Sequence, residues 1–183
     1  RNIGPGSVDL VLTDPPYDDK SLPLYADLAQ LSARILRPGG LCVTYAGIYQ
    51  LPTIFNLMNP HLQYVWTISL IYSGGSDIFR KYAIEQGWKA ILVYGRPPIE
   101  PWWDHLADVL QGGGQEKDDH PWQQALSESE GLIATLCPGG GTVVDPMMGA
   151  ATTMLAARNL NRSYLGIEID DGAFANAQKR MAA

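Results

Sequence analysis

The sequence predicts an α/β fold, a doubly wound, mostly parallel sheet with helices on both faces. Three observations carry this expectation. Short apolar runs alternate with stretches of helical periodicity along all 183 residues, Gly- and Pro-rich breaks separate them, and no internal repeat is present. With 46% hydrophobic and 17% charged residues, the chain has the apolar content of one well-packed domain and no disordered character.

Residues 8–14 read as a buried strand, because "VDLVLT" is apolar and rich in strand-forming types. A helix follows over 24–36, with Leu24, Leu28, Leu31 and Ile35 at helical spacing, and "RPGG" stops it. "LCVTYAG" reads as a second strand, a shorter helix covers 50–58, and "YVWTISLIY" and "AILVYG" at 90–95 read as further strands. From 124 to 137 a helix ends at "PGGG". Strand "TVVD", turn "PMMGAAT", a helix to about 159, strand "SYLGIEI" and a last helix follow. The order is that of βαβ units throughout.

Several classes are excluded. Apolar runs are short and broken by Gly or Pro, so none spans a membrane, and "RNIGPGS" at the start carries no secretory signal pattern. These features predict a soluble, cytoplasmic protein. Cys42 and Cys137 lie in apolar surroundings without a CxxC partner, which predicts buried free thiols. His61, His105 and His120 are too scattered for a metal site, and none is expected. The first residue is Arg rather than Met, which predicts a missing leading segment.

Two stretches carry chemistry. In "TDPPYDDK", residues 13–20, Asp14, Pro15, Pro16 and Tyr17 sit at the carboxyl end of the first strand, where open α/β sheets bind ligands. In "VVDPMMGAATTMLAA", residues 143–157, a strand ends in Asp145, a tight turn carries Gly149, and Ala150 and Ala151 open a helix. Small residues there let a ligand approach the backbone at a helix N-terminus. Glu168 in "GIEID" ends the next strand 23 positions after Asp145, about the spacing at which an acid reaches ribose hydroxyls in dinucleotide-type sheets. The G-x-G-x-x-G spacing of pyrophosphate sites is absent.

Together these stretches resemble the amino-methyltransferases that modify exocyclic nitrogens of DNA bases with S-adenosylmethionine, a family with a Rossmann-like fold. "DPPY" at 14–17 is similar to their catalytic motif, "DPMMGAAT" at 145–152 to their cofactor motif DPFxGSGT, and "GIEID" to their ribose-binding strand. "RILRPGG" and "HPWQQALSESEGLIATLCPGGGTVVDP" extend the likeness over most of the chain, and the catalytic-first order is that of the family's β class. The resemblance implies a catalytic set of Asp14, Pro15, Pro16 and Tyr17. It implies cofactor contacts from Asp145, Pro146, Met147, Gly149, Ala151, Thr152 and Glu168, and from His120, which opens a segment similar to HPTQKP. Met147 replaces the family's phenylalanine, Ala151 its second glycine, and Trp122, Gln124 and Ala125 its Thr, Lys and Pro. A single methyltransferase domain over 1–183 is expected, with a catalytic half at 1–71, a DNA-facing stretch at 72–119 and a cofactor half at 120–183.

The implied chemistry explains the two prolines. An amino group conjugated to a base ring is a poor nucleophile until its hydrogens are held by acceptors that turn its lone pair out. The Asp14 carboxylate and Pro15 carbonyl are suited to this, since proline fixes φ near about −65° and adds no competing N–H. Tyr17 supplies a ring on which an extruded base stacks. An acid at the first position resembles N6-adenine members more than N4-cytosine ones, and DPPY differs from the DPPW of RNA enzymes. The alternatives are a non-catalytic, methyltransferase-like binding subunit and an N4-cytosine or RNA enzyme.

A net charge of −6 sits awkwardly with a DNA partner. Residues 72–96 carry a local +2 from Arg80, Lys81, Lys89 and Arg96, interleaved with aromatics, and form the candidate DNA face. Residues 97–119, where β-class relatives place a recognition insertion, are only 23 residues long and carry −5. That predicts sequence recognition by a separate domain or subunit. Trp102 and Trp103 read as a loop packed on the body.

Overall fold

The computed structural model describes residues 3–72, 77–112 and 126–182. His120 and the rest of "HPWQQA" lie outside them. In chain order the strands are β1 (Val8–Thr13), β2 (Leu36–Ala46), β3 (Gln63–Ile71), β4 (Asp77–Phe79), β5 (Ile84–Gln86), β6 (Trp88–Gly95), β7 (Val109–Gln111), β8 (Thr142–Asp145) and β9 (Ser163–Gly166). The helices are α1 (Leu24–Ile35), α2 (Leu51–Met58), α3 (Leu126–Leu136), α4 (Thr152–Asn159) and α5 (Asp171–Ala182).

Among the described residues, one sheet runs in the order β7-β3-β6-β2-β1-β8-β9. It is mostly parallel, as expected. The βαβ pattern fails around β6: β3 reaches it through the β4–β5 hairpin and β6 leads on to β7, both without a helix, so β6 runs antiparallel to both β3 and β2. A strand that returns without a crossover must reverse direction.

Strand alternation divides the core into two layers. Val11, Cys42, Ala46, Leu92 and Val144 face Tyr25, Leu28 and Ile35 of α1 and Ile54 and Met58 of α2. Leu10, Leu12, Val43, Ile91, Val93 and Val143 face Leu132, Ile133 and Leu136 of α3 and Ala156 and Ala157 of α4. Successive side chains of a buried strand point to opposite faces, which is why these strands read as continuous apolar runs. Trp102, Trp103 and Leu106 pack on the second layer, as the loop reading expects. Cys42 and Cys137 are buried and free, and burial pushes their thiols up to about 12 and about 11, which keeps them protonated.

Two local expectations change. The buried face of α1 is Tyr25, Leu28, Ala29, Ser32 and Ile35, while Leu24 is exposed, because the Tyr25 hydroxyl reaches inward to donate to the Tyr45 carbonyl at 3.0 Å. "RPGG" lies inside β2 rather than before it. Between Val8↔Leu36 and Leu10↔Leu41 the β1 strand advances two residues while β2 advances five, so Arg37 to Gly40 bulge. Gly39 takes φ +78° in that bulge, and a Cβ on Gly40 would meet the carbonyl oxygens of Arg37, Val8 and Asp9 at 3.0, 3.1 and 3.2 Å. Arg37 Nε bonds Asp9 Oδ1 at 2.6 Å, and the other oxygen of Asp9 accepts the Thr142 N–H at 2.8 Å, joining β2, β1 and β8.

Candidate active site

The sheet order aligns the functional side chains along one edge. Lys89 on β6, Tyr45 on β2, Asp14 after β1, Asp145 on β8 and Glu168 after β9 follow one another across it. The chain leaves β1 toward β2 and β8 toward β9, so a crevice opens between β1 and β8, at the switch point where open α/β sheets bind ligands. A cleft of about 1130 Å³ lies there, lined by Thr13 through Tyr17, Tyr45, Asp145, the turn from Met147 to Ala150 and Thr152. Residues 14 and 145 are far apart in the chain and neighbours in space.

On the β1 side, the chain leaves Tyr17 into a 3-10 turn at Asp19–Ser21, which Asp18 caps by accepting the Lys20 and Ser21 N–H groups at 2.9 and 3.0 Å. The Ser21 hydroxyl, which donates to Asp18 Oδ2 at 2.8 Å, and then these backbone bonds hold the exposed Asp18 carboxyl below its ordinary range. Gln50 Nε2 donates to the Tyr17 carbonyl at 2.9 Å and to Asp19 at 3.0 Å, fixing the loop from the other side. The Tyr17 hydroxyl donates to Asp14 Oδ1, and Lys89 Nζ lies 3.5 Å from Asp14 Oδ2. Burial of its hydroxyl end and the adjacent Asp14 charge push the Tyr17 phenol far above its ordinary value, so it stays a donor. The residue as a whole remains 37% exposed, which leaves ring surface open. Among the described residues no hydrogen bond is made to the Pro15 carbonyl.

On the β8 side, Asp145 is buried. Its Oδ1 accepts the Thr13 hydroxyl at 2.7 Å and the Met147 N–H at 3.0 Å, which couples the end of β1 to the turn after β8. Burial pushes its carboxyl up to about 6, against the hydrogen bonds that favour the ionised form. Gly149 has φ +46° with open space where a Cβ would be. Ala151 takes φ +62°, a left-handed conformation that favours glycine, directly before α4. That geometry is the physical reason a glycine suits this position. Arg180 Nη1 closes the turn from α5 by donating to the Ala150 carbonyl and Thr152 Oγ1, each at 2.9 Å.

The predicted residues separate into groups. Asp14, Pro15, Pro16, Tyr17, Asp145, Met147, Gly149 and Thr152 line the cleft, whereas Pro146, Ala151 and Glu168 are not among its lining residues. Both oxygens of Glu168 are engaged by backbone: Oε2 accepts the Gly149 N–H at 2.9 Å and Oε1 those of Ile169 and Asp170 at 2.9 and 3.0 Å. Glu168 holds the turn through these bonds, and Asp170, four residues beyond β9, lines the cleft. Sequence reasoning did not single out Thr13 and Tyr45. Thr13 and Tyr45 share the signal that revealed Asp14, a polar or aromatic residue at the carboxyl end of an apolar strand.

The four cations assigned to a DNA face do not share one. Arg80 and Lys81 stand on the β4–β5 hairpin, where Lys81 Nζ donates to the Tyr49 hydroxyl at 2.7 Å and lies over the Tyr49 and Tyr82 rings. Lys89 belongs to the cleft edge beside Asp14. Arg96 follows β6 at the opposite end of the sheet and donates to the Leu36 carbonyl, because the antiparallel β6 carries its two ends to opposite edges.

Fold and site define a transferase class in which a cofactor turn and a strand-end acceptor motif meet across one crevice. The family model described as DNA methylase matches residues 59–179, and the chain belongs to that family of S-adenosylmethionine-dependent N6/N4 amino-methyltransferases. It is 27% identical over 203 residues to a putative methylase, YubD, of Escherichia coli K12, covering 98% of this chain and 84% of that one. Against the type II methyltransferase M.HpaI of Haemophilus parainfluenzae it is 21% identical, covering 99% and 70%. The crystal structure of an M1.HpyAVI–SAM complex superposes with a TM-score of 0.78 at 26% identity, covering 95% and 89%. The PvuII cytosine-N4-specific DNA methyltransferase shares the fold, with a TM-score of 0.80 at 16% identity, covering 96% and 80%. Among the described residues no helix is long and apolar enough to cross a membrane.

Proposed function

We propose that this DNA methyltransferase acts on the N6 amino group of adenine, presented as an extruded base. The observation that supports this most is the joint placement of Asp14 and Pro15 in the wall of the cleft that Asp145, Met147, Met148, Gly149, Ala150 and Thr152 also line. The acid at the first position of DPPY is the feature that favours adenine over cytosine.

The residues present suit the cofactor. Gly149 leaves open space at the turn, the cleft is lined by Met147, Met148 and Ala150, and the acids Asp145 and Asp170 among its lining residues suit a positively charged ligand. When bound, S-adenosylmethionine supplies an electrophilic methyl group on a positively charged sulfur. Asp14 and the Pro15 carbonyl each accept one amino hydrogen and direct the nitrogen lone pair away from the ring. To do so Asp14 shares an oxygen now occupied by Tyr17 or Lys89. The Tyr17 ring stacks on the base, worth about 1–3 kcal/mol and comparable to the few kcal/mol needed to extrude it.

The hairpin bearing Arg80, Lys81, Tyr82 and the neighbouring Tyr49 forms the DNA-facing lip. Tyr82 and Tyr49 are 57% and 50% exposed, and their ring edges and two cations suit a phosphate backbone beside unstacked bases. Sequence discrimination comes from a separate domain or subunit, because the segment at 97–119 is short and acidic. The test is mass spectrometry of nucleosides from DNA incubated with the protein and cofactor. N6-methyladenine is the expected product, and N4-methylcytosine in its place overturns the adenine assignment.

A further inference from the structure

We infer that Lys89 is a positioning residue for the acceptor site, holding Asp14 and Tyr17 in place from behind rather than contacting DNA. Its Nζ lies 3.5 Å from Asp14 Oδ2, 4.8 Å from the centroid of the Tyr17 ring and 5.0 Å from that of Tyr45. All three of those side chains line the cleft, and Lys89 itself does not. One ammonium thus joins the acceptor, the stacking ring and the end of the neighbouring strand.

The position follows from the sheet. β6 pairs antiparallel with β2 through Ala90↔Ala46 and Ile91↔Tyr45, so Lys89 is the first residue beyond the ladder and points to the same face as Ile91 and Tyr45. A four-carbon stem from that point brings the charge to the β1 loop. The side chain is 21% exposed, so the cation is partly desolvated, and an interaction with a ring face or a carboxylate gains strength there. The ammonium lies over Tyr17 from a position outside the cleft, which leaves ring surface on the cleft side for a base. Tyr17 in turn donates to the other Asp14 oxygen, so the acceptor is gripped at both oxygens.

This inference rests on the proposed amino-methyl transfer, and the two fail separately. Lys89→Met, Lys89→Arg and the wild-type protein are compared by single-turnover methylation of duplex DNA, titration calorimetry with S-adenosylmethionine, and DNA affinity against salt. A small displacement of a reacting group costs up to about a hundredfold in rate, so Lys89→Met is expected to lower the transfer rate by about ten- to a hundredfold. Cofactor affinity, thermal midpoint and the salt slope should stay at wild-type values, and Lys89→Arg should recover part of the rate. A Lys89→Met rate equal to wild type overturns the inference. So does a salt slope flattened by about one unit with the rate unchanged, which is the signature of a phosphate contact. A wild-type protein that binds S-adenosylmethionine but transfers no methyl to DNA refutes the proposed function instead.

Discussion

Asp145→Asn should make the protein more stable at alkaline pH and leave it nearly unchanged in acid. Asp145 is buried, and its carboxyl is pushed from 3.8 up to about 6 chiefly by that burial, with the Asp14 charge adding to it. A carboxyl whose folded value is raised stabilises the fold fully below its unfolded value and loses that contribution as pH rises through the folded value. Keeping Asp145 ionised in the folded state therefore costs about 3 kcal/mol well above pH 6, at about 1.4 kcal/mol per pH unit of displacement. Asparagine removes the charge and keeps the geometry, because the Thr13 hydroxyl and the Met147 N–H both go to Oδ1. Urea unfolding of both proteins at pH 4.5 and pH 8 measures the effect. The stability difference should move in favour of the variant by about 2 kcal/mol between those two pH values. Parallel pH profiles for the two proteins would refute the reasoning, since the carboxylate would then carry no desolvation cost.

Further outcomes can be checked at other positions. Asp14→Ala removes one of two acceptors and should slow methylation by about 10²–10³ with cofactor affinity retained, read by rapid quench and calorimetry. Glu168→Ala strips an acceptor from the N–H groups of Gly149, Ile169 and Asp170 and should destabilise the protein by about 1–3 kcal/mol in cofactor-free denaturation. Asp170→Ala should weaken S-adenosylmethionine binding more than Glu168→Gln does, by calorimetry. Neutralising Arg80 and Lys81 should flatten the dependence of log DNA affinity on log salt by about one unit for each phosphate that is no longer neutralised, while Arg96→Ala leaves that slope intact.

The sheet and its two best motifs were legible because each rests on local sequence. β1, β8 and the helices after them follow from apolar runs and Gly or Pro breaks, and DPPY and the 145–152 turn stand at strand ends that the pattern marks. What escaped depends on pairing. Nothing local in "AILVYG" says that β6 runs against its neighbours, and that reversal sends Lys89 to the cleft edge and Arg96 to the opposite one. A sum of charge over residues 72–96 therefore grouped cations that the fold separates. Glu168 illustrates a second limit. Its spacing from Asp145 is right for a ribose partner, yet the backbone amides it serves become visible only when β9 lies beside β8. Ala151 is the converse case, since a family likeness marks the position but only its left-handed φ explains why glycine suits it.

The place of β1 between β2 and β8 also governs the order in which the protein can be made. Residues 8–13 and 36–46 emerge before residues 142–145, so one edge of β1 has its partner available while the other waits. Until then the strand that carries Asp14 presents open N–H and C=O groups, a template for pairing with another chain. The Thr13–Asp145 bond closes a loop of 132 residues, a slow and entropically costly step. A ribosome-bound chain therefore has no acceptor site facing a cofactor turn. Insertion of β8 converts an aggregation-prone edge into the centre of the sheet and creates the cleft in the same event.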